Sequence, residues 1–193
     1  MKHAMGYRGE SQGDMRLFTA IEFEPIIQAK FARVQSEVTK HSVSGNFTRV
    51  CNFHLTLVFL GEMSAACVPA IQCAMDEAVR GHTSFVLTAD KLGAFNRGGK
   101  KIIWVGLNGE LQRLRMLYAR LEDVLMGIGV IKQKQDYSPH VTLGREVVTK
   151  VPLTAISVPS MLPIAVEVRE VSLLESKREQ GRLVYRKIYS VVL

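Results

Sequence analysis

His54-Leu55-Thr56-Leu57 and His140-Val141-Thr142-Leu143 are two copies of one short pattern, each inside a run of apolar and β-branched residues that reads as a strand. Given the chain's own composition, chance yields about 0.02 such matches, so the pair carries a signal. Alternate side chains of a strand share a face, which points His54 and Thr56 one way and sends Leu55 and Leu57 into the opposite, core-facing layer. His140 and Thr142 repeat that arrangement. Where two such strands approach one another, two imidazoles and two hydroxyls converge on one polar surface. Histidine titrates nearest neutrality, so a pair supplies a neutral base and a charged acid at one pH. Threonine hydroxyls donate to the non-bridging oxygens of a phosphate, where charge accumulates during attack. This is equipment for opening a cyclic phosphodiester: one imidazole deprotonates water, the other protonates the leaving oxygen, and neither step calls for a metal or cofactor. The expected site is therefore His54 and His140 as catalysts, with Thr56 and Thr142 on the phosphate.

Other uses of these residue types fit less well. Each motif offers one imidazole without Asp, Glu or Cys at a ligand spacing, unlike His-Glu-x-x-His or paired Cys-x-x-Cys, so no metal is expected. No segment has the order of a phosphate-binding P-loop. His3, His41 and His82 lack any matching context and read as surface residues. Cys51, Cys67 and Cys73 are an odd count without Cys-x-x-Cys spacing, and they read as small buried hydrophobes rather than a disulfide framework.

A formal charge of +7 and a pI near 9.5 favour acidic partners, of which nucleic acid is the commonest. The segment 95–101 adds a local focus: Phe95, Arg97, Lys100 and Lys101 combine an aromatic ring with positive charge in a Gly-rich loop. Single-stranded RNA contacts have this character, and so does a solvated hairpin loop with Phe95 tucked into the core. No run of about 18 apolar residues is present, and the first fourteen residues lack the apolar stretch of a secretory signal. The chain thus reads as cytoplasmic, without a membrane association.

The elements that must hold the motifs follow from periodicity. Residues 1–14 read as a flexible extension, and 15–193 as a single domain. A strand over 16–23 leads to Pro25, well placed in a first helical turn, and Ile27, Phe31, Val34 and Val38 follow at helical spacing. Ser44-Gly45-Asn46 reads as a turn, 53–60 as a strand, and Ser64 as the cap of a second helix carrying Val68, Ile71, Met75 and Val79. Strands over 85–88 and 102–107 flank the basic loop. A third helix then spans Leu111 to Ile128, and His140 opens the second motif strand. Segments 164–174 and 183–192 read as strands joined by a turn at Glu179-Gln180-Gly181. Strands that follow one another directly argue for an α+β fold with largely antiparallel sheets.

At these residues the chain resembles the 2H phosphoesterase superfamily, and within it the RNA 2′,3′-cyclic phosphodiesterases also called 2′-5′ RNA ligases. The resemblance runs over nearly all of 15–193. It rests on Phe53-His54-Leu55-Thr56-Leu57-Val58-Phe59-Leu60-Gly61-Glu62, on Trp104-Val105-Gly106-Leu107 and on Pro139-His140-Val141-Thr142-Leu143-Gly144-Arg145. Arg16-Leu17-Phe18 and, near the end, Leu173 to Ser176 with Gly181 and Tyr185 extend it. It implies a bilobal fold in which two pseudo-symmetric lobes each present one motif to a central cleft, with helices outside. It also implies roles, His54 as proton donor and His140 as proton acceptor, RNA ends as substrate, a 2′-phosphate as product, and reversible 2′-5′ ligation. The alternatives left open are a phosphodiesterase for other cyclic or 2′-5′ linked nucleotides and a non-catalytic RNA- or nucleotide-binding module; the protein is expected to be a monomer. Cys51-Asn52 is less typical of the family. Arg145 is familiar there, yet alternation puts it opposite His140 unless the strand bulges, leaving it a support residue or a phosphate ligand.

Overall fold

The computed structural model describes residues 14–133, 136–158 and 160–193. The expected extension, with His3, therefore lies outside the described residues except for Asp14. Nine strands and three helices follow in the order β1 (Met15–Glu22), α1 (Pro25–Lys40), β2 (Ser42–Phe47), β3 (His54–Met63), α2 (Val68–Val79), β4 (Phe85–Arg97), β5 (Lys100–Gly109), α3 (Leu111–Gly127), β6 (His140–Thr149), β7 (Ile164–Val168), β8 (Glu170–Glu179) and β9 (Arg182–Val192). They form two antiparallel sheets, ordered β3-β1-β8-β9 and β2-β6-β5-β4-β7. The expected α+β class with two related lobes is what the chain adopts. In each lobe a strand leads to a helix and then to a motif strand, β5-α3-β6 directly and β1-α1-β3 with β2 between, and the motif strand returns antiparallel beside the first. The two motif strands meet where the lobes join. Beneath them the sheets share one apolar core, to which Leu55, Val141 and Leu143 contribute from the motifs and Phe31, Met75 and Leu121 from the helices.

Both motif strands carry a bulge just past their threonine. On β3, Phe18 and Ala20 of β1 face Phe59 and Thr56, so one extra residue is looped out. On β6, consecutive residues Ile103 and Trp104 of β5 face Gly144 and Thr142. The burial pattern is consequently the same in both: half-buried His, buried, half-buried Thr, then two buried residues in succession before an exposed one, Phe59 or Arg145. An extra residue leaves ladder groups unpaired, and each bulge recruits a side chain to meet them. The buried Thr19 hydroxyl accepts from the Val58 amide at 3.0 Å. Gln35 of α1 donates to the Leu143 carbonyl at 2.7 Å, bracing the second motif with a helix that belongs to the first.

Four expectations need correction. Ser44-Gly45-Asn46 is not a turn but lies inside β2, the edge strand beside β6; a Cβ on Gly45 would come within 2.9 Å of Val147 Cγ2, so glycine there permits close approach rather than reversal. Segment 95–101 is not a loop: its residues continue β4 and β5, paired as far as Arg97 and Lys100, and only Gly98-Gly99 turns, with φ of 52° and 81°. Segment 164–174 divides at Arg169 into β7 and β8, which lie in different sheets. The cysteines are not buried: Cys51 and Cys73 are exposed and Cys67 is half-buried, because Cys51 lies in the short segment between β2 and β3 and Cys73 on the outward side of α2.

Gly93 of β4 pairs with Trp104 of β5, and the indole lies flat on its backbone where any Cβ would collide with the ring. Gly93→Ala should destabilise the protein by about 1–3 kcal/mol through overpacking. Trp104 is the single tryptophan, so its fluorescence reports the displacement directly. An unchanged melting temperature together with an unchanged spectrum would show that the ring does not depend on this platform.

Candidate active site

The two histidines are held alike. His54 Nδ1 lies 2.8 Å from the carbonyl oxygen of Asn52, and His140 Nδ1 lies 2.7 Å from that of Ser138. A carbonyl only accepts, so each Nδ1 carries the proton and each Nε2 is left for the cleft. His54 Nε2 sits 3.0 Å from Thr56 Oγ1, which binds the first His-Thr pair into one unit. Aromatic rings bracket each imidazole: Phe18 and Tyr185 at centroid distances of 5.1 and 5.0 Å for His54, Phe95 and Trp104 at 5.3 and 6.1 Å for His140. Phe18 and Trp104 come from the strands adjoining each motif, Phe95 from one strand further out, and Tyr185 from β9 at the far edge of the first sheet.

His54 and Thr56 open into a cavity of about 500 Å³, walled by Phe18, Phe59, Leu183 and Tyr185 and by the cations Arg16, Arg145, Lys177 and Arg178. Arg145 reaches it because the β6 bulge reverses the alternation that would otherwise turn it to the core. Thr142 is half-buried on the same strand face as His140. Phe95 packs on His140 and Trp104, whereas Arg97, Lys100 and Lys101 do not join the His54 cavity. They line a separate one of about 240 Å³ with Ile102, Arg145 and Glu146. Asn52, Arg16, Phe59, Lys177 and Arg178 escaped the sequence reading of the site, because nothing local distinguishes them; Asn52 was noticed only as atypical. Its buried amide donates to the Leu183 carbonyl at 3.0 Å, fixing the segment whose own carbonyl holds His54. Among the described residues no cluster of three or more His, Cys, Asp or Glu side chains could hold a metal ion.

Comparison with known proteins places the chain in a family. The profile of the 2′-5′ RNA ligase superfamily matches residues 26–180. The chain belongs to this superfamily. A Thermotoga maritima relative named RNA 2′,3′-cyclic phosphodiesterase is 30% identical over 132 residues, covering 68% of this chain and 70% of that protein. One of the same name from Archaeoglobus fulgidus is 30% identical over 136 residues, 68% of this chain and 72% of the other. Among solved structures, Escherichia coli LigT complexed with 3′-AMP superposes with a TM-score of 0.73 at 27% identity, over 94% of this chain and 98% of that one. Thermus thermophilus TT0787 shares the fold with a TM-score of 0.77 at 22% identity, over 93% and 98% of the two chains. Among the described residues no helix is long and apolar enough to cross a membrane.

In this superfamily member the electrostatics of the two imidazoles differ in two respects: at His54 the charge of His140 lowers the titration and a carboxylate raises it. Burial pushes both below the usual histidine range, the carbonyls of Asn52 and Ser138 oppose it, and Arg145 pushes both further down. His54 alone also feels a carboxylate, Glu22, its register partner on β1, which raises it. Glu22 is itself held by Lys187 Nζ at 2.7 Å and by the Ser172 hydroxyl at 2.7 Å. Removing the guanidinium with Arg145→Gln should raise the titration midpoints of both histidines, followed by NMR of the imidazole protons. Midpoints that stay in place would mean that Arg145 does not face them.

Proposed function

We propose that the chain is an RNA 2′,3′-cyclic phosphodiesterase that opens the cyclic phosphate at an RNA 3′ end to a 2′-phosphate. The observation that carries this reading is the paired restraint of Nδ1, which leaves two Nε2 nitrogens as the proton-transfer atoms of one cleft. Attack and departure at phosphorus lie in line, so one nitrogen serves the incoming water and the other the departing oxygen. The departing oxygen belongs to the ribose. A cavity of about 500 Å³ walled by aromatic rings and four cations suits a nucleotide, and it lies on the side of His54. His54 is accordingly the donor to the 3′-oxygen, and His140 takes the proton of water. Glu22 supports this assignment, because it favours the charged form of His54 only.

Thr56 has two roles in sequence. Neutral His54 accepts from its hydroxyl; once Nε2 is protonated, that hydroxyl proton is released to donate to a non-bridging phosphate oxygen. Thr142, on the face of the second strand that carries His140, donates to a non-bridging oxygen as well, and Arg145 places a full positive charge beside the same oxygens. Acid, base and charge stabilisation are all side chains of one chain, so the reaction needs neither metal nor cofactor, and a monomer suffices. RNA ends are met in the cytoplasm, where we place the protein.

His54→Ala and His140→Ala should each lower turnover at least about a hundredfold on a cyclic-ended oligoribonucleotide, since a positioned proton transfer contributes ~10² to 10⁴. The fold should persist, as both side chains are only half-buried. The assay is run in excess chelator, and the phosphate on the product is located. A 3′-phosphate, or activity restored only by added metal, would overturn the mechanism.

The pH profile gives a further check. Because both imidazoles are depressed, kcat/KM should be bell-shaped with its maximum on the acidic side of the ordinary histidine range. Below both ionisations the base is charged and lost; above both the acid is neutral and lost. Bound phosphate is negative and raises both, so the kcat profile should lie at higher pH than that of kcat/KM. A flat profile, or displacement in the opposite sense, would remove the two-histidine assignment.

A further inference from the structure

A ribose whose 3′-oxygen takes its proton from His54 is still joined, through its 5′-oxygen, to the rest of an RNA strand. That strand has to leave the cavity beside His54. Two other cavities share a wall residue with it. The first, of about 240 Å³ under the β4–β5 hairpin, shares Arg145, the group set beside the cyclic phosphate, and so lies beyond the phosphate rather than the 5′-oxygen. The second, of about 630 Å³, shares Tyr185 and opens between the segment Val50–Asn52 and the tip of the β8–β9 hairpin. Tyr185 stands edge-on to His54 at 5.0 Å, against the imidazole that serves the ribose. Asn52 completes the partition. It lines the larger cavity, its carbonyl holds His54 Nδ1 at 2.8 Å, and its side chain donates to the carbonyl of Leu183, a wall residue of the cavity beside His54.

The larger cavity is equipped for a nucleotide and its phosphate. Arg49 and Arg182 line it, both exposed, and among the described residues neither has an ion-pair partner. Glu179, the register partner of Arg182, turns instead to Lys177 at 2.7 Å. Two guanidinium forks are thereby left for an anion, and their geometry matches phosphate oxygens. Val184 and the Tyr185 ring offer a base a surface to lie on. Neither arginine lines the cavity beside His54, so their charge serves no step at the cyclic phosphate. We infer that this cavity holds the nucleotide preceding the cyclic end, with Arg49 and Arg182 on the phosphodiester that joins the two. The inference rests on the proposed phosphodiesterase reading and narrows its substrate: the protein selects the end of an RNA chain over a cyclic mononucleotide.

The test compares three substrates in excess chelator: a 2′,3′-cyclic mononucleotide, a dinucleotide ending in the same cyclic phosphate, and that dinucleotide with an uncharged methylphosphonate at its internal linkage. The unmodified protein should prefer the dinucleotide over the mononucleotide in kcat/KM at least about tenfold, chiefly through KM, and the methylphosphonate should lose most of that preference. In Arg49→Gln/Arg182→Gln the dinucleotide and its methylphosphonate should become equal, and the salt dependence of the dinucleotide reaction should flatten. Turnover of the cyclic mononucleotide should match that of the unmodified protein, which also reports the folded enzyme. Arg49→Lys/Arg182→Lys, which keeps the charge, should keep part of the preference. The inference would be overturned by equal use of mononucleotide and dinucleotide, by a methylphosphonate as good as the phosphodiester, or by a variant that loses both cyclic substrates alike. Loss of the preference in Arg97→Gln/Lys100→Gln instead would send the strand under the other hairpin and overturn it too. Each of these leaves the phosphodiesterase reading standing, whereas absence of hydrolysis of every cyclic end by the unmodified protein would remove both.

Discussion

A hydrogen bond from imidazole Nδ1 to the carbonyl two residues earlier, made once in each lobe, is the constraint on which the site depends. It fixes tautomer and ring direction together, because a carbonyl cannot donate. The carbonyls are themselves held by parts of the chain far from the motifs. Asn52 is tied to β9 through its side chain. Ser138 follows Tyr137, whose ring stacks on Tyr118 of α3 at 4.0 Å with the planes 4° apart. Burial between these elements raises the Tyr137 hydroxyl far above its usual range. Much of the fold outside the cleft thus serves to hold two backbone oxygens still.

The bulges show how two related lobes became unlike. Phe59 and Arg145 stand at the same place after their bulges, five residues past each histidine. The second lobe carries its cation at that position directly. The first carries an aromatic ring there and brings a cation from the neighbouring strand, with the Arg16 guanidinium 5.0 Å over the Phe59 ring. Both lobes thereby present positive charge beyond the threonine by different routes, and the first gains an apolar wall in doing so. That wall is what makes its cavity suited to a nucleoside.

This also explains what was legible in the sequence. The repeated His-x-Thr-Leu was readable because acid, base and hydroxyl donors must be those residue types, on one strand face, two positions apart. The helices were readable from periodicity, and strands following one another directly already excluded a parallel sheet. The bulges were not, since Leu57-Val58 and Leu143-Gly144 look like any buried run, and one looped-out residue leaves no compositional trace. With them went the placement of Arg145, which strict alternation sends to the core. Glycine misled twice in opposite senses: Gly45 marks strand contact where a turn was read, and Gly98-Gly99 mark a turn far shorter than the loop inferred around them. The aromatic brackets were invisible for a different reason, because Phe18 and Tyr185 reach His54 only through sheet order.

The cleft's charge sets two demands in opposition. Cations are needed to bind an anionic RNA end and to stabilise its transition state, yet each one nearby opposes the imidazolium that must donate a proton. Arg145 acts on both histidines in this way, and burial acts in the same direction. Both effects favour neutral imidazoles, which in the mechanism we propose is the right state for His140 and the wrong one for His54. Glu22 offsets part of the difference at His54 alone. In that mechanism the remainder comes from the substrate, whose negative phosphate favours the charged form of a neighbouring imidazole. Proton loading of the acid is thereby coupled to occupancy, and the Thr56 hydroxyl, released by that proton, becomes a phosphate ligand at the moment a phosphate is there to receive it.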